Sequence, residues 1–347
     1  MWIEQLMQLK KLVTVLAVLL VAITGVACSE SDKASKSKAI TKKQEIKVLP
    51  GTMPEPKAVP VPEKIADVKE DIIELMIPVK DKYKKGLFWK IERPGYKPSY
   101  LLGTMHSSHP EILAMTKVIK KQFNSAATLC TEIKLDMVSM VSMAKLVMYP
   151  KGQTLRQNID EELYQQVVKH AKTLGVNIAE INKMKPWIVN VRLSMPKDAG
   201  GVALDMRLVF DATKQKKELC GLEKVKEQLD IFASESKEDQ LKALRLTVKH
   251  FDIIREQIPK MRNIYLSRDL IALANMVRNS PVPIPEEDVK KMMFKLLVRR
   301  NIIMLNRMQP YLKKGNVFFA VGALHLTGKI GLLRLLDEQG YTLTRLY

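Results

Sequence analysis

From Gly86 onward, short apolar runs alternate with longer stretches in which apolar residues recur at helical spacing. Leu87-Phe88-Trp89-Lys90-Ile91 and Ser99-Tyr100-Leu101-Leu102 read as two strands joined by a turn at Pro94-Gly95. Pro110 to Phe123 follows as a helix, with Pro110 suited to its first turn. Ala126 to Ile133 reads as a buried strand and Asp136 to Met148 as a helix. Asp160 can cap a helix to Leu174, because Leu163, Val167, Val168 and Ala171 share one face. Lys185 to Ser194 and Ala203 to Thr213 are further helices, and Glu218-Leu219-Cys220 is a short strand. Lys224 to Arg278 and Glu286 to Leu312 are mostly helical, divided by Ser280-Pro281-Val282-Pro283. The end returns to strand Val317–Val321, helix Leu326–Glu338 and strand Tyr341–Leu346. This order predicts an α/β fold, with a mixed central sheet built from N- and C-terminal βα units around a long helical middle region.

Before Gly86 the pattern changes. Lys10-Lys11 precede an uncharged apolar run from Leu12 to Val26, followed by Ala27-Cys28. A basic start, a short apolar stretch and small residues before a cleavage point make an export signal. Thr24-Gly25-Val26-Ala27-Cys28 resembles the lipobox of bacterial lipoproteins, which implies a lipidated Cys28 as the mature N-terminus. Residues 28–70 are rich in Ser, Lys, Pro and Glu and read as a flexible spacer. The expected organisation is thus a signal over 1–27, a spacer over 28–70 and an α/β domain over 71–347. Within that domain a helical insertion covers about 224–312.

Composition narrows the function classes. The 347 residues carry 57 Lys+Arg against 37 Asp+Glu, a net charge of +20, with only 5 His, 3 Cys and 3 Trp. So few cysteines exclude a zinc ribbon or a disulfide-stapled scaffold. The charge would suit nucleic acid, but no stretch interleaves Lys/Arg with stacking aromatics, and export points elsewhere. The expectation is no nucleic-acid partner, a membrane reached through the N-terminal lipid, and an anionic envelope surface facing the basic excess. The localisation this implies is the bacterial cell envelope.

Two tetrads carry the candidate chemistry. Gly103-Thr104-Met105-His106 follows one apolar strand and Gly322-Ala323-Leu324-His325 follows another. Gly permits close backbone approach at a strand's carboxyl end, where open α/β sheets bind ligands. Two imidazoles delivered there can converge on one ion or substrate. The strand Ala127–Glu132 ends in an acid, and Glu223 and Asp205 are further acidic candidates, Glu223 alternatively pairing with a neighbouring Arg or Lys. Two His and a carboxylate with an open position make a catalytic metal site, and the mixed N/O set admits Mn, Co or Zn. His109, before Pro110, reads as a helix-entry residue, while His170 and His250 fall within helical patterns. Trp187 reads equally as a packing or a cleft residue. Cys130 and Cys220 can pair if their strands adjoin, although their apolar settings favour two buried free thiols.

Taken together, Leu102–His106, Thr131-Glu132-Ile133, Lys185-Pro186-Trp187, Leu204-Asp205, Gly221-Leu222-Glu223 and Ala320–Gly328 stand in the order seen in the TraB/GumN family. The resemblance covers roughly Gly86 to Tyr347, including Gly331-Leu332-Leu333 and Gly340-Tyr341. It implies an α/β fold related to erythromycin esterase and haem-binding ChaN-like proteins. Its Tiki members are metal-dependent proteases whose paired GxxH motifs serve the active site. Carried over, His106 and His325 become metal-site residues and Glu132 a ligand or the base that activates water. Gly103 and Gly322 become the motif glycines, and Asp205 and Glu223 supporting acids. The function so implied is a metal-dependent, peptidase-like hydrolase acting on peptide or protein. The rival is a lipoprotein that binds metal, haem or peptide without turnover.

Overall fold

Residues 55–68, 70–76, 82–134, 137–196, 202–282 and 285–347 are described in the computed structural model. The expected signal, Cys28 and most of the spacer lie outside the described residues. Strands β1 (Phe88–Glu92), β2 (Ser99–Thr104), β3 (Thr128–Ile133), β4 (Glu218–Glu223), β5 (Val317–Gly322) and β6 (Thr342–Arg345) form one sheet in the order β4-β3-β5-β2-β1-β6. β4, β3, β5 and β2 run parallel, whereas β1 lies antiparallel between β2 and β6. The mixed sheet is therefore assembled from both ends of the chain, as the pattern predicts. Each residue of β3 and β5 is buried at the sheet's centre, which explains the unbroken apolar run of β5, whereas β3 carries Thr128, Thr131 and Glu132 among its buried residues.

Twelve of the described helices are seven residues or longer. They are α1 (Lys117–Ser125), α2 (Met137–Val147), α3 (Glu161–Thr173), α4 (Pro186–Ser194), α5 (Leu204–Lys214) and α6 (Val225–Ala233). The others are α7 (Lys237–Lys249), α8 (Phe251–Leu266), α9 (Leu270–Arg278), α10 (Glu286–Met293), α11 (Arg299–Lys314) and α12 (Leu332–Glu338). Three of their starts follow from short polar side chains: Asp160 caps α3, Ser236 caps α7 and Asp269 caps α9. α5 and α11 pack against the parallel strands. A separate apolar cluster, including Leu163, Val167, Val189, Leu193, Leu244 and Phe251, holds α3, α4, α7 and α8 together.

Three features depart from the pattern. The helix expected over Pro110–Phe123 is two, Pro110–Leu113 and α1. The one expected from Leu326 begins at Leu332, because the intervening turn must fit against the chain's early part. Gly328 there has φ +93, and a Cβ on it would lie 2.6 Å from the Leu75 carbonyl oxygen. Third, packing begins well before Gly86: Val59 exchanges two backbone hydrogen bonds with the Asn306 side chain, and Val61, Ile65 and Val68 pack on the main core.

Cys130 and Cys220 form a disulfide, which corrects the preference for free thiols. Their strands are parallel neighbours in which Cys130 faces Cys220, with Cα atoms 4.5 Å apart, so the side chains meet on one face.

Candidate active site

The carboxyl ends of β2, β3, β4 and β5 converge, and each contributes a functional side chain. β2 and β5 pair with Thr104 opposite Gly322, so the two tetrads leave adjacent strands at one level. They also touch. A Cβ on Gly103 would lie 3.1 Å from the Ala323 Cα and 2.9 Å from the Leu326 side chain. Glycine is what lets the second motif close over the first. Gly322 has a different job: its N–H donates to Glu132 Oε1 at 2.7 Å, with φ in the ordinary region.

His106 is buried with Nδ1 3.4 Å from Asp205 Oδ2, and the Thr104 hydroxyl donates to Asp205 Oδ1 at 2.5 Å. Asp205 sits in the first turn of α5, where the helix dipole favours an anion. Burial pushes the Asp205 carboxyl upward, but the bonds from His106 and Thr104 outweigh it and hold the group below the usual carboxylate range. The Leu204 N–H donates to the Ser107 carbonyl and ties α5 to the first tetrad.

His325 is fully buried. Its Nδ1 lies 2.6 Å from Asn301 Oδ1, while Asn301 Nδ2 donates to the Ile330 carbonyl at 2.8 Å. The second bond fixes the amide orientation, so Oδ1 accepts and His325 carries its proton on Nδ1. Burial, with the Arg300 charge adding, holds His325 well below the usual imidazole range. It is neutral, with its lone pair on Nε2. That nitrogen has no hydrogen-bond partner among the described residues and lies 3.6 Å from Glu132 Oε1.

Glu132 is held by three donors: Gly322 N–H on Oε1, and Arg300 Nη2 and Gln228 Nε2, each at 2.7 Å, on Oε2. Arg300 also grips Glu223 through Nε on Oε1 at 2.9 Å and Nη2 on Oε2 at 2.6 Å. Of the two alternatives for Glu223, the structure adopts pairing with an arginine. Burial raises the Glu132 carboxyl above its usual range. Arg300 works against that, the charges of Glu223 and Asp205 reinforce it, and the Gly322 N–H opposes it.

Four residues here escaped the sequence reading: Arg300, Asn301, Gln228 and Tyr265, whose hydroxyl donates to the Gly103 carbonyl at 2.9 Å. One signal existed. Leu297, Asn301, Met304, Met308 and Leu312 form a buried helical stripe, in which Asn301 is the polar exception. A π-helical turn at Phe294–Val298 precedes Arg300 and Asn301, and the guanidinium donates back to its Leu296 carbonyl. The other candidates fall elsewhere. His109 precedes the Pro110–Leu113 helix, His170 stacks on Phe251, and buried Trp187 stacks on Phe232 in the core.

The residues fit a cation in part. A neutral imidazole whose far nitrogen is fixed by a hydrogen bond is the usual state of a metal-ligating histidine. Nε2 and Glu132 Oε1 lie 3.6 Å apart with a lone pair on each, a pair that a proton or a cation placed between them would satisfy. Three carboxylates, Glu132, Glu223 and Asp205, act on this site against the single Arg300 guanidinium, which favours a cation. Among the described residues, no group of three His, Cys, Asp or Glu side chains is placed to hold a metal ion.

Comparison with known proteins agrees with the motifs. A model of the TraB/PrgY/gumN family matches residues 87–345. Metalloprotease TIKI2 of Danio rerio is 22% identical over 331 residues, covering 79% of this chain and 64% of that protein. Metalloprotease TIKI1 of Danio rerio is 23% identical, covering 73% and 61% respectively. YbaP of Shigella flexneri, named as uncharacterized, is 22% identical and covered over 90% of its length. The chain thus spans under two thirds of each Tiki protein. No solved structure gives a significant match.

Proposed function

Because the chain belongs to the TraB/PrgY/gumN family, we propose that it is a metal-assisted hydrolase of peptide or amide bonds, held at the bacterial cell envelope by a lipid on Cys28. The observation that carries this reading is the buried pair of His325 Nε2 and Glu132 Oε1, two acceptor atoms facing each other at 3.6 Å. His325 and Glu132 are the two residues that would take a divalent ion such as manganese, cobalt or zinc, and His106 on the adjacent strand end, now held against Asp205, would complete the set only by moving toward them. When bound, such an ion polarises a carbonyl and lowers the pKa of water.

The remaining chemistry belongs to the chain. Asn301 keeps the His325 lone pair on Nε2. A Glu132 raised above its usual range accepts a proton from attacking water more readily than an ordinary carboxylate. Arg300 and Gln228 fix its orientation, and ionised Asp205 orients His106. The similarity to the Tiki metalloproteases supports hydrolysis, and the signal and lipobox-like sequence support the envelope. A binding role without turnover is the second reading, favoured by the three hydrogen bonds that already occupy the Glu132 oxygens.

Metal analysis of the purified full chain tests the site. The wild type is expected to retain a divalent ion that the His106→Ala/His325→Ala double variant loses. Equal metal content in both contradicts a shared site. For the anchor, Cys28→Ser is expected to release the protein from the membrane fraction, and unchanged retention rejects the lipid.

A further inference from the structure

The parallel strands give the molecule two poles, about 20 Å apart for six-residue strands. The candidate active site occupies the pole at their carboxyl ends. The opposite pole is built by the segments that lead into β2, β3, β4 and β5, and these are contiguous. The Asn316 N–H donates to the Pro98 carbonyl, the Ala127 N–H to that of Asn316, and the Glu218 N–H to that of Ala127.

This second pole is basic. Lys97, Lys214, Lys216, Lys313 and Lys314 are exposed on it or on the last turns of the helices that end there, and Lys121 is exposed midway along α1, which also ends there. Lys313 and Lys314 pair with Glu55 and Glu218. Among the described residues, Lys97, Lys121, Lys214 and Lys216 have no ion-pair partner. Of the acids at the margin, Glu92 pairs with Lys90 and Asp337 with Lys82, while Glu338, exposed at the end of α12, has no ion-pair partner among the described residues. Lysine at a helix C-terminus is ordinary, since it offsets the dipole. Lys97 and Lys216 lie in turns, however, and that account leaves them unexplained.

A second observation concerns the chain's entry. Glu55 bonds Lys313, so residues 1–54, with the apolar run Leu12–Val26 and Cys28, join the domain at this same pole. We propose that the lysine pole is a docking surface for an anionic lipid bilayer, which turns the active site away from the membrane. The choice of a bilayer over a soluble polyanion rests on reading residues 1–28 as the anchor. That anchor alone does not orient the domain, because residues 29–54 can extend to about 90 Å at full reach. The lysines supply the orientation, each strengthening attraction to an anionic surface about fivefold.

The test uses the full chain reconstituted into phosphatidylcholine vesicles or mixed phosphatidylcholine/phosphatidylglycerol vesicles, with brief amine acylation read by mass spectrometry. Lys97, Lys121, Lys214 and Lys216 are expected to label several-fold more slowly on the anionic vesicles than on phosphatidylcholine alone, because a docked face excludes the reagent. High salt should abolish the difference. Lys224, exposed beside the active site at the end of β4, should label alike on both. In Lys121→Glu/Lys214→Glu/Lys216→Glu, Lys97 should lose its protection. Equal labelling of the four lysines on both vesicles overturns the proposal, as does protection by soluble polyglutamate without protection by anionic vesicles. A chain that stays with both vesicle types and shows no protection contradicts the docking surface alone. A chain retained by neither contradicts the anchor.

Discussion

His325 shows how burial sets chemistry at one residue. The unfolded chain takes up a proton on this imidazole near pH 6.5, whereas the folded protein, with the residue fully buried near Arg300, does not. Its contribution to stability is therefore complete above that pH and lost as pH falls below it. Urea unfolding at about pH 7.5 and about pH 5.5 should show a steeper acid loss for the wild type than for His325→Gln. Parallel behaviour would remove this residue from the acid response. Asn301→Leu leaves Nδ1–H without an acceptor in a buried site and should cost about 1–3 kcal/mol, read from the urea midpoint. Nitrogen NMR on the same variant should show His325 losing its single Nδ1–H tautomer. The histidines were legible in the sequence because a strand, a glycine and a following His recur as a unit. Arg300 and Asn301 were not, because a buried polar residue on a helix declares itself only once the apolar stripe around it is traced.

At the scale of elements, the site depends on strand neighbours that are remote in the chain. Cys130 and Cys220 are 90 residues apart, and their bond ties β3 to β4, the strands ending in Glu132 and Glu223. Closing so long a loop restricts the unfolded chain. Cys130→Ala/Cys220→Ala should lower unfolding free energy by about 2–4 kcal/mol. The measurement is denaturant unfolding of the variant beside the wild type, with and without reductant, where only the wild type should respond to reductant. Gly103→Ala brings a methyl group against the Ala323 backbone and should cost about 1–3 kcal/mol in the same assay. The strands and most helices followed from period and capping, since Asp160 and the apolar face of α3 are local features. The delayed start of α12 did not, because Gly328 answers to the Leu75 carbonyl, a contact between opposite ends of the chain. The disulfide likewise waited on strand order, which no local pattern specifies.

The whole molecule divides its labour between two ends of one sheet. The strand carboxyl ends gather Glu132, Glu223 and His325 around Arg300 and set His106 against Asp205, while the other end carries lysines that have no ion-pair partner among the described residues and receives the N-terminal chain. That polarity gives the net charge of +20 a place as well as a size. If the histidine-and-glutamate end hydrolyses peptide bonds, a peptide-library assay on the full chain, with manganese, cobalt or zinc supplied in turn, will show metal-stimulated cleavage. That cleavage is expected to fall about 100-fold or more in Glu132→Gln. Cleavage at the wild-type rate in Glu132→Gln, or none by the wild type with any of the three metals, would contradict the proposed hydrolysis.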